Sequence, residues 1–460
     1  MIHNPELRRN IWLDFSLHRL ILTPITLGLM TYLCYLASPN MGATFAFYAA
    51  CFFMYLWGPR LSADTVMDEV NHNTWDFQRQ SAISPWTMTI GKWVGSTLFT
   101  WYGAVIALSF YVMIHIYANL PRSHLSTEVP VLIIGALLTQ ALSLLLSLQI
   151  LPLVRNETSN RTFSYFFLAV LTGVIITGHC LSAVSSHATV TWHHMIFNQS
   201  QFYTLSMLGF LAWAIIGLYR SFSKELQYHN IPWVWLVFNL YCILHFSGFS
   251  SLFDNKPTAY FKNPDLNIII SATPYYFAFT ISIILCYFAL FTDSLSSLRY
   301  RKLFMRYSEN NPIEALQLIP WWVVSFLLAI VVGLLSAVMP QAFTDRLKEY
   351  SPSVFILTSL LFLLRDILLV NFFFLSKNPR RAQGSAIIYL ALLWIGFPML
   401  LEAMHLGYLV PLLLPTWGKN TALCFISVAA QIGFIGILCW NKWQMLWKDL
   451  DTPPLRSAQL

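Results

Sequence analysis

Residues 129–152 read VPVLIIGALLTQALSLLLSLQILP, twenty-four consecutive positions without one charged side chain. As an α-helix this stretch extends about 36 Å at ~1.5 Å per residue. The hydrocarbon layer of a bilayer is ~30 Å thick. A helix satisfies its backbone N–H and C=O groups within one segment, so a run this apolar predicts a membrane span.

The pattern repeats on both sides. Apolar stretches at 20–37, 41–57, 93–117, 163–184 and 201–219 accompany it in the first half. The second half holds 233–249, 268–291, 321–339, 353–374, 386–402 and 421–440. About twelve spans are predicted, in an all-α polytopic membrane protein. Pro398, Glu402, His405, Pro411 and Pro415 interrupt 386–420, which reads as one span followed by a re-entrant or interfacial segment.

Composition agrees. The 460 residues are 57% hydrophobic and 10% charged, whereas soluble domains are about a quarter charged. The 17 Trp and 21 Tyr suit helix ends at lipid–water interfaces. The net charge of +7 is dispersed over short loops and predicts no nucleic-acid partner. No pair of the seven cysteines forms a CxxC motif, so they read as small buried hydrophobes.

With the N-terminus inside, the cytoplasmic segments carry 20 Lys and Arg and the outer loops 6. That bias predicts both termini in the cytoplasm, with the chain in the cell membrane, a bacterial inner membrane being expected.

Two cytoplasmic segments stand out. In residues 3–19, HNPELRRNIWLDFSLHR, Leu7, Ile11 and Phe15 recur at helical spacing beside Trp12, predicting an interfacial amphipathic helix. The loop 58–92, GPRLSADTVMDEVNHNTWDFQRQSAISPWTMTIGK, carries Asp64, Asp68, Glu69 and Asp76, then Ser84–Pro85. A Ser cap followed by Pro at the first helical position predicts a new helix from Pro85. A short helix between two spans is a natural docking element for a cytoplasmic partner.

The order of residues in this loop resembles the permease subunits of ABC-2 type transporters. It runs from an acidic helix through Thr74–Trp75–Asp76 and Ser81–Ala82–Ile83–Ser84–Pro85–Trp86 to Gly91–Lys92. The likeness is good over about 90 residues and looser, as a six-span layout, to about residue 220. The second six-span region, 221–460, exceeds the family's usual size. The family's Glu–Arg pair and the Gly before Thr stand here as Asp68–Glu69 and Asn73.

The resemblance implies an ATP-driven transporter whose ATPase is a separate polypeptide. ATP and Mg would bind that partner, and this chain would be neither an enzyme nor a cofactor carrier. Coupling would run through Asp64, Asp68, Glu69, Trp75, Asp76, Ser84, Pro85, Trp86, Gly91 and Lys92. The chain has no G-x-x-x-x-G-K-[ST] loop: Gly91–Lys92 precedes Trp, and Gly418–Lys419 precedes Asn.

A secondary transporter is the alternative, followed by a membrane-embedded glycosyl- or acyltransferase. The latter often uses a large first outer loop, and here that loop is only about 38–40. His179, His187, His193 and His194 read as interfacial histidines rather than metal ligands.

Within the spans, Arg365 and Asp366 need partners. As i, i+1 neighbours they point about 100° apart, so each needs a partner on another span, Glu402 being a candidate for Arg365 and His405 completing this intramembrane polar set; the alternative is a span that ends early, with 365–374 at the cytoplasmic interface. Asn4–Pro5–Glu6 against Asn311–Pro312–x–Glu314, and Arg60 against Arg365, suggest a degenerate repeat. The second coupling loop would then have decayed to 375–385, favouring a homodimer with one ATPase contact per chain.

Overall fold

The structure is a computed structural model. It describes residues 4–81, 83–120, 125–154, 162–186, 189–193, 195–228, 233–249, 274–293, 297–309, 312–338, 352–375, 379–416 and 420–451. Ten helices among these are long and apolar enough to cross a membrane. Each overlaps a stretch named above, and the two remaining stretches hold shorter apolar helices, Ala169–Ser182 and Trp233–Ser247. The protein is therefore an all-α, multi-pass membrane protein.

The chain divides into two compact units. The first comprises Met1–Val190 and Met195–Asn230, the second Thr191–His194 and Ile231–Leu460.

The first unit opens with α1 (Pro5–Asp14), α2 (Leu17–Ala37) and α3 (Pro39–Cys51). A π-helix at Phe52–Trp57 joins α3 to α4 (Gly58–Asn71). Then come α5 (Trp75–Gln80), α6 (Pro85–Trp93), a 3-10 turn at Gly95–Thr97 and α7 (Leu98–Tyr117). The unit continues through α8 (Leu125–Val154), α9 (Thr162–Ser186) and α10 (Gln199–Glu225). The described residues also form a short hairpin, β1 (Thr189–Trp192) with β2 (Met195–Asn198).

Membrane helices pack without a hydrophobic drive between them, so small residues at their crossings matter. Ala46 and Ala50 of α3 are fully buried, as are Ala104 and Ala107 of α7 or nearly so. Toward the α4–α6 end, the core of this unit is built from Val66, Met67, Trp75, Met88, Trp93, Leu144, Leu218 and Phe222.

The second unit contains α11 (Trp233–Ser247), α12 (Pro274–Thr292), α13 (Ser297–Ser308), α14 (Pro312–Leu318), α15 (Trp321–Val338) and α16 (Pro352–Phe374). They are followed by α17 (Pro379–Ala391), a π-helix at Leu392–Gly396, α18 (Phe397–Ala403), a 3-10 helix at Gly407–Leu412 and α19 (Thr421–Asp451). Among the described residues, the interrupted region 386–420 holds a helix long and apolar enough to cross a membrane, ending at Ala403, and a short 3-10 segment. Tyr276, Phe279, Leu290, Ala329, Ile356 and Leu363 form the core.

Two expectations change. The acidic stretch 64–69 is not a separate coupling helix. It is the end of α4, which runs unbroken from Gly58 to Asn71, and the short helix after it is only Trp75–Gln80. The amphipathic helix expected before the first span is α1, Pro5–Asp14. Glu6 and Asn10 are the buried residues, while Ile11, Trp12 and Leu13 are exposed, Trp12 by 82%. Glu6 and Asn10 pack on protein while Ile11, Trp12 and Leu13 stay outward, as in an interfacial helix, and Phe15 packs on Phe99 and Tyr102. Finally, Arg60 and Arg365 are not equivalent: the Arg60 side chain is 71% exposed beside Asp64 and that of Arg365 is 0% exposed.

Candidate functional site

Of the loop residues singled out above, Glu69, Trp75 and Lys92 meet at the end of α4. There α1, α4, α5 and α6 meet in one charge cluster. Lys92, completely buried, places Nζ 2.5 Å from Glu69 Oε2 and 3.7 Å from Glu6 Oε2. Arg9 donates to Glu69 Oε1 at 2.6 Å and lies 3.2 Å from Glu6. Gln78 of α5 also donates to Glu69 Oε1, at 2.6 Å. Two acids meet two bases, so the cluster is electrically balanced, as burial of charge requires. Partial burial disfavours the charged form of Arg9, but its bonds to Glu69 and Glu6 outweigh that and raise its pKa.

The local sequence explains why the chain folds this way. Ser84 caps α6 by accepting from the Thr87 N–H at 3.2 Å, and Pro85 takes the first turn where no N–H is needed. Asn4 caps α1, accepting from the Glu6 and Leu7 N–H groups, and donates to the Thr87 carbonyl at 2.7 Å. Asn10 donates to the Gly91 carbonyl at 3.2 Å. α1 therefore lies directly on α6, and Gly91 is the contact: a Cβ there would collide with Glu6 Cβ.

Gly91 and Lys92 thus do different things. One lets α1 approach, and the other neutralises the carboxylates that α1 and α4 bring. Gly91→Val is expected to lift α1 off α6 and open Lys92 to solvent. Limited proteolysis should then release the N-terminal segment much faster than in wild type, and unchanged proteolysis would refute the contact.

The turn into α5 is also built. Thr74 donates both its N–H, at 2.8 Å, and its hydroxyl, at 3.2 Å, to the Glu69 carbonyl at the end of α4. Asn73 has φ 57°, a left-handed conformation that glycine adopts freely and that asparagine tolerates better than most residues. Asparagine at this point is compatible with the bend.

Trp75 is only 2% exposed and packs beside Phe222 of α10, with Lys92 Nζ 5.6 Å from its ring. It is a core residue of this end of the unit and cannot itself touch a partner. Asp76 is exposed and pairs with Arg79 at 3.3 Å. Arg79 Nε in turn donates to the Glu225 carbonyl at 2.9 Å, tying α5 to the end of α10. Asp64 pairs with Arg60 at 3.6 Å, and Asp68 is exposed. Trp86 is half exposed with its ring edge on Tyr219. The most exposed apolar residue of α5 is Phe77, 76% exposed.

Sequence reading missed Glu6, Arg9, Gln78, Arg79 and Phe77. The Asn4–Pro5–Glu6 cap was the available signal for Glu6. Nothing local announced that its carboxylate meets Lys92.

The intramembrane set assembles differently from expectation. Arg365 and Asp366 are both fully buried and pair with each other, Nε to Oδ1 at 2.8 Å and Nη2 to Oδ1 at 2.7 Å. A long guanidinium side chain bends back across the 100° that separates the two Cβ atoms. Glu402 and His405 are exposed and take no part in the pair. Asp366 Oδ2 instead accepts from the Tyr287 hydroxyl at 2.6 Å and from Trp394 Nε1 at 2.7 Å. Arg365 Nη1 donates to the Leu413 carbonyl and to Gln431 Oε1, with the Phe362 ring 4.6 Å away. The pair thereby anchors the chain just past the 3-10 helix to α16 and α19.

His179 stacks near Tyr203, and His193 lies 3.3 Å from the Leu244 carbonyl; His187 and His194 fall outside the described residues. No group of three or more His, Cys, Asp or Glu suited to a metal occurs among the described residues. Asn311 and most of the 375–378 stretch also lie outside them.

Comparison with protein-family models, with curated proteins and with solved structures finds no match. The functional reading therefore rests on the geometry of the cluster and on the residue pattern that feeds it.

Proposed function

We propose that this chain is the membrane subunit of an ATP-driven transporter of the ABC-2 kind, moving its substrate with a separate ATPase. The carrying observation is the convergence of Glu69, Thr74, Ser84–Pro85 and Gly91–Lys92 on one built structure. These residues, spread over the loop's sequence pattern, join to hold a six-residue helix, α5, at the end of two long helices.

The mechanics follow from the contacts. α5 is bound to α4 through Gln78–Glu69, to α10 through Trp75–Phe222 and Arg79–Glu225, and to α6 through Trp75–Lys92. A force applied to α5 is thus delivered to three helices at once. In this reading α5 is the coupling helix, Phe77 its exposed contact, and Asp68 and Asp76 a polar rim. Both termini face the cytoplasm, the shorter apolar helices complete twelve spans, and ATP and Mg reside on the partner. The cell membrane, a bacterial inner membrane, is the site of action.

The test is co-purification from native membranes in mild detergent. A nucleotide-binding subunit is expected to accompany the wild-type chain. Phe77→Asp should lower its recovery at least tenfold, while the variant elutes from size exclusion as wild type does. Equal recovery with Phe77→Asp, or no ATP-binding partner at all, would defeat the proposal.

A further inference from the structure

We infer that residues 52–59 form a hinge between the membrane half of the second long helix and its terminal arm, α4, and that Gln140 of α8 is its latch. This goes beyond the transporter reading and does not depend on it.

The hinge begins with a register defect. The Gly58 N–H bonds to the Phe53 carbonyl, five residues back, within the π-helix Phe52–Trp57. The Met54 carbonyl then has no backbone donor available. The N–H four residues on, that of Gly58, is taken, and the residue five on is Pro59, which has none. A buried carbonyl left without a donor is destabilising, so the defect persists only if something else supplies one.

Gln140 does. It is 1% exposed, its Nε2 donates to the Met54 carbonyl at 3.2 Å, and its Oε1 accepts from Trp101 Nε1 at 3.0 Å. One helical turn further along α8, Ser143 donates to the Pro59 carbonyl at 2.7 Å. Gly58 is where the amide comes closest: a Cβ there would lie 2.5 Å from Gln140 Nε2. The joint between the two halves of this helix is therefore closed by side chains of a neighbouring helix. Side-chain bonds of this kind can be exchanged without breaking a regular backbone ladder.

What the hinge carries is the α4 arm, whose far end holds Glu69 in the charge cluster. A pivot at 52–59 lets that end move while α3 stays packed on α7. The second unit repeats the grammar. Its π-helix Leu392–Gly396 also has a five-residue bond, Phe397 N–H to the Leu392 carbonyl, and also precedes a proline, Pro398.

The experiment uses the full-length chain in lipid nanodiscs, with spin labels at Tyr48 and Asp68, both exposed and twenty residues apart across the joint. A straight helix separates them by about 30 Å, within range of pulsed dipolar spectroscopy. Gln140→Leu should at least double the width of the distance distribution, and should raise amide exchange at 55–62 at least tenfold with exchange in α8 and α10 unchanged. Adding Pro59→Ala restores an N–H to the Met54 carbonyl and should return both readouts toward wild type. Unchanged widths with Gln140→Leu would overturn the inference. So would a change spread over the whole unit that Pro59→Ala does not reverse.

Discussion

Lys92→Leu is expected to destabilise the protein by on the order of 3 kcal/mol, because it strands carboxylates that folding has already desolvated. Lys92 is fully buried, Glu69 is 8% exposed and Glu6 is 5% exposed. With the ammonium gone, Arg9 alone faces both acids, and its own side chain is 41% exposed. The double change Lys92→Leu with Glu69→Gln leaves Arg9 paired with Glu6 and restores the balance of charge. It should recover at least half of the loss, a coupling that well-separated sites do not show. Thermal unfolding of the detergent-solubilised protein reads both variants. A single variant that melts with wild type would mean that water, not Lys92, solvates the acids.

Arg365→Leu is expected to be as damaging, at roughly 3–5 kcal/mol for a broken buried pair. It leaves Asp366 with two neutral donors, Tyr287 and Trp394, and removes the donor to the Leu413 carbonyl and Gln431. Asp366→Leu should also cost several-fold more than a surface change, because the guanidinium is left inside with carbonyls and rings only. The double change should cost less than the sum of the two. Glu402→Gln, by contrast, removes an exposed charge outside the pair and should stay within ~0.5 kcal/mol of wild type. If Glu402→Gln matched Arg365→Leu in assembly yield, the pairing described here would fail.

Both experiments concern charges whose partners were not legible in advance. For Lys92 the reading stopped at the loop: Gly91–Lys92 had no distinguishing chemistry alone, and the acids it meets sit on two other helices. For Arg365 the reading erred by treating side chains as directions at Cβ. Four rotatable bonds let a guanidinium reach a neighbouring carboxylate that a shorter base could not. Trp75 shows a third kind of failure. The resemblance put Trp75 among the coupling residues, yet Phe222 and the α6 core cover it, and Phe77 two residues on is exposed instead.

Local sequence is enough to specify a helical, multi-pass membrane protein, the places of its apolar stretches, and a helix that starts at Pro85 behind a Ser84 cap. These depend on apolar length and on backbone groups satisfied within a few residues, so they are local properties. Packing between distant helices sets which face of α1 is buried, makes the acidic stretch the end of α4, and supplies the partners of Lys92, Arg365 and the Met54 carbonyl. Pairing of buried charge and of orphaned backbone is settled by distances between helices. Those distances depend on how Gly91 lets α1 approach and how Pro59 shifts a register, and no window of sequence contains both sides of either contact.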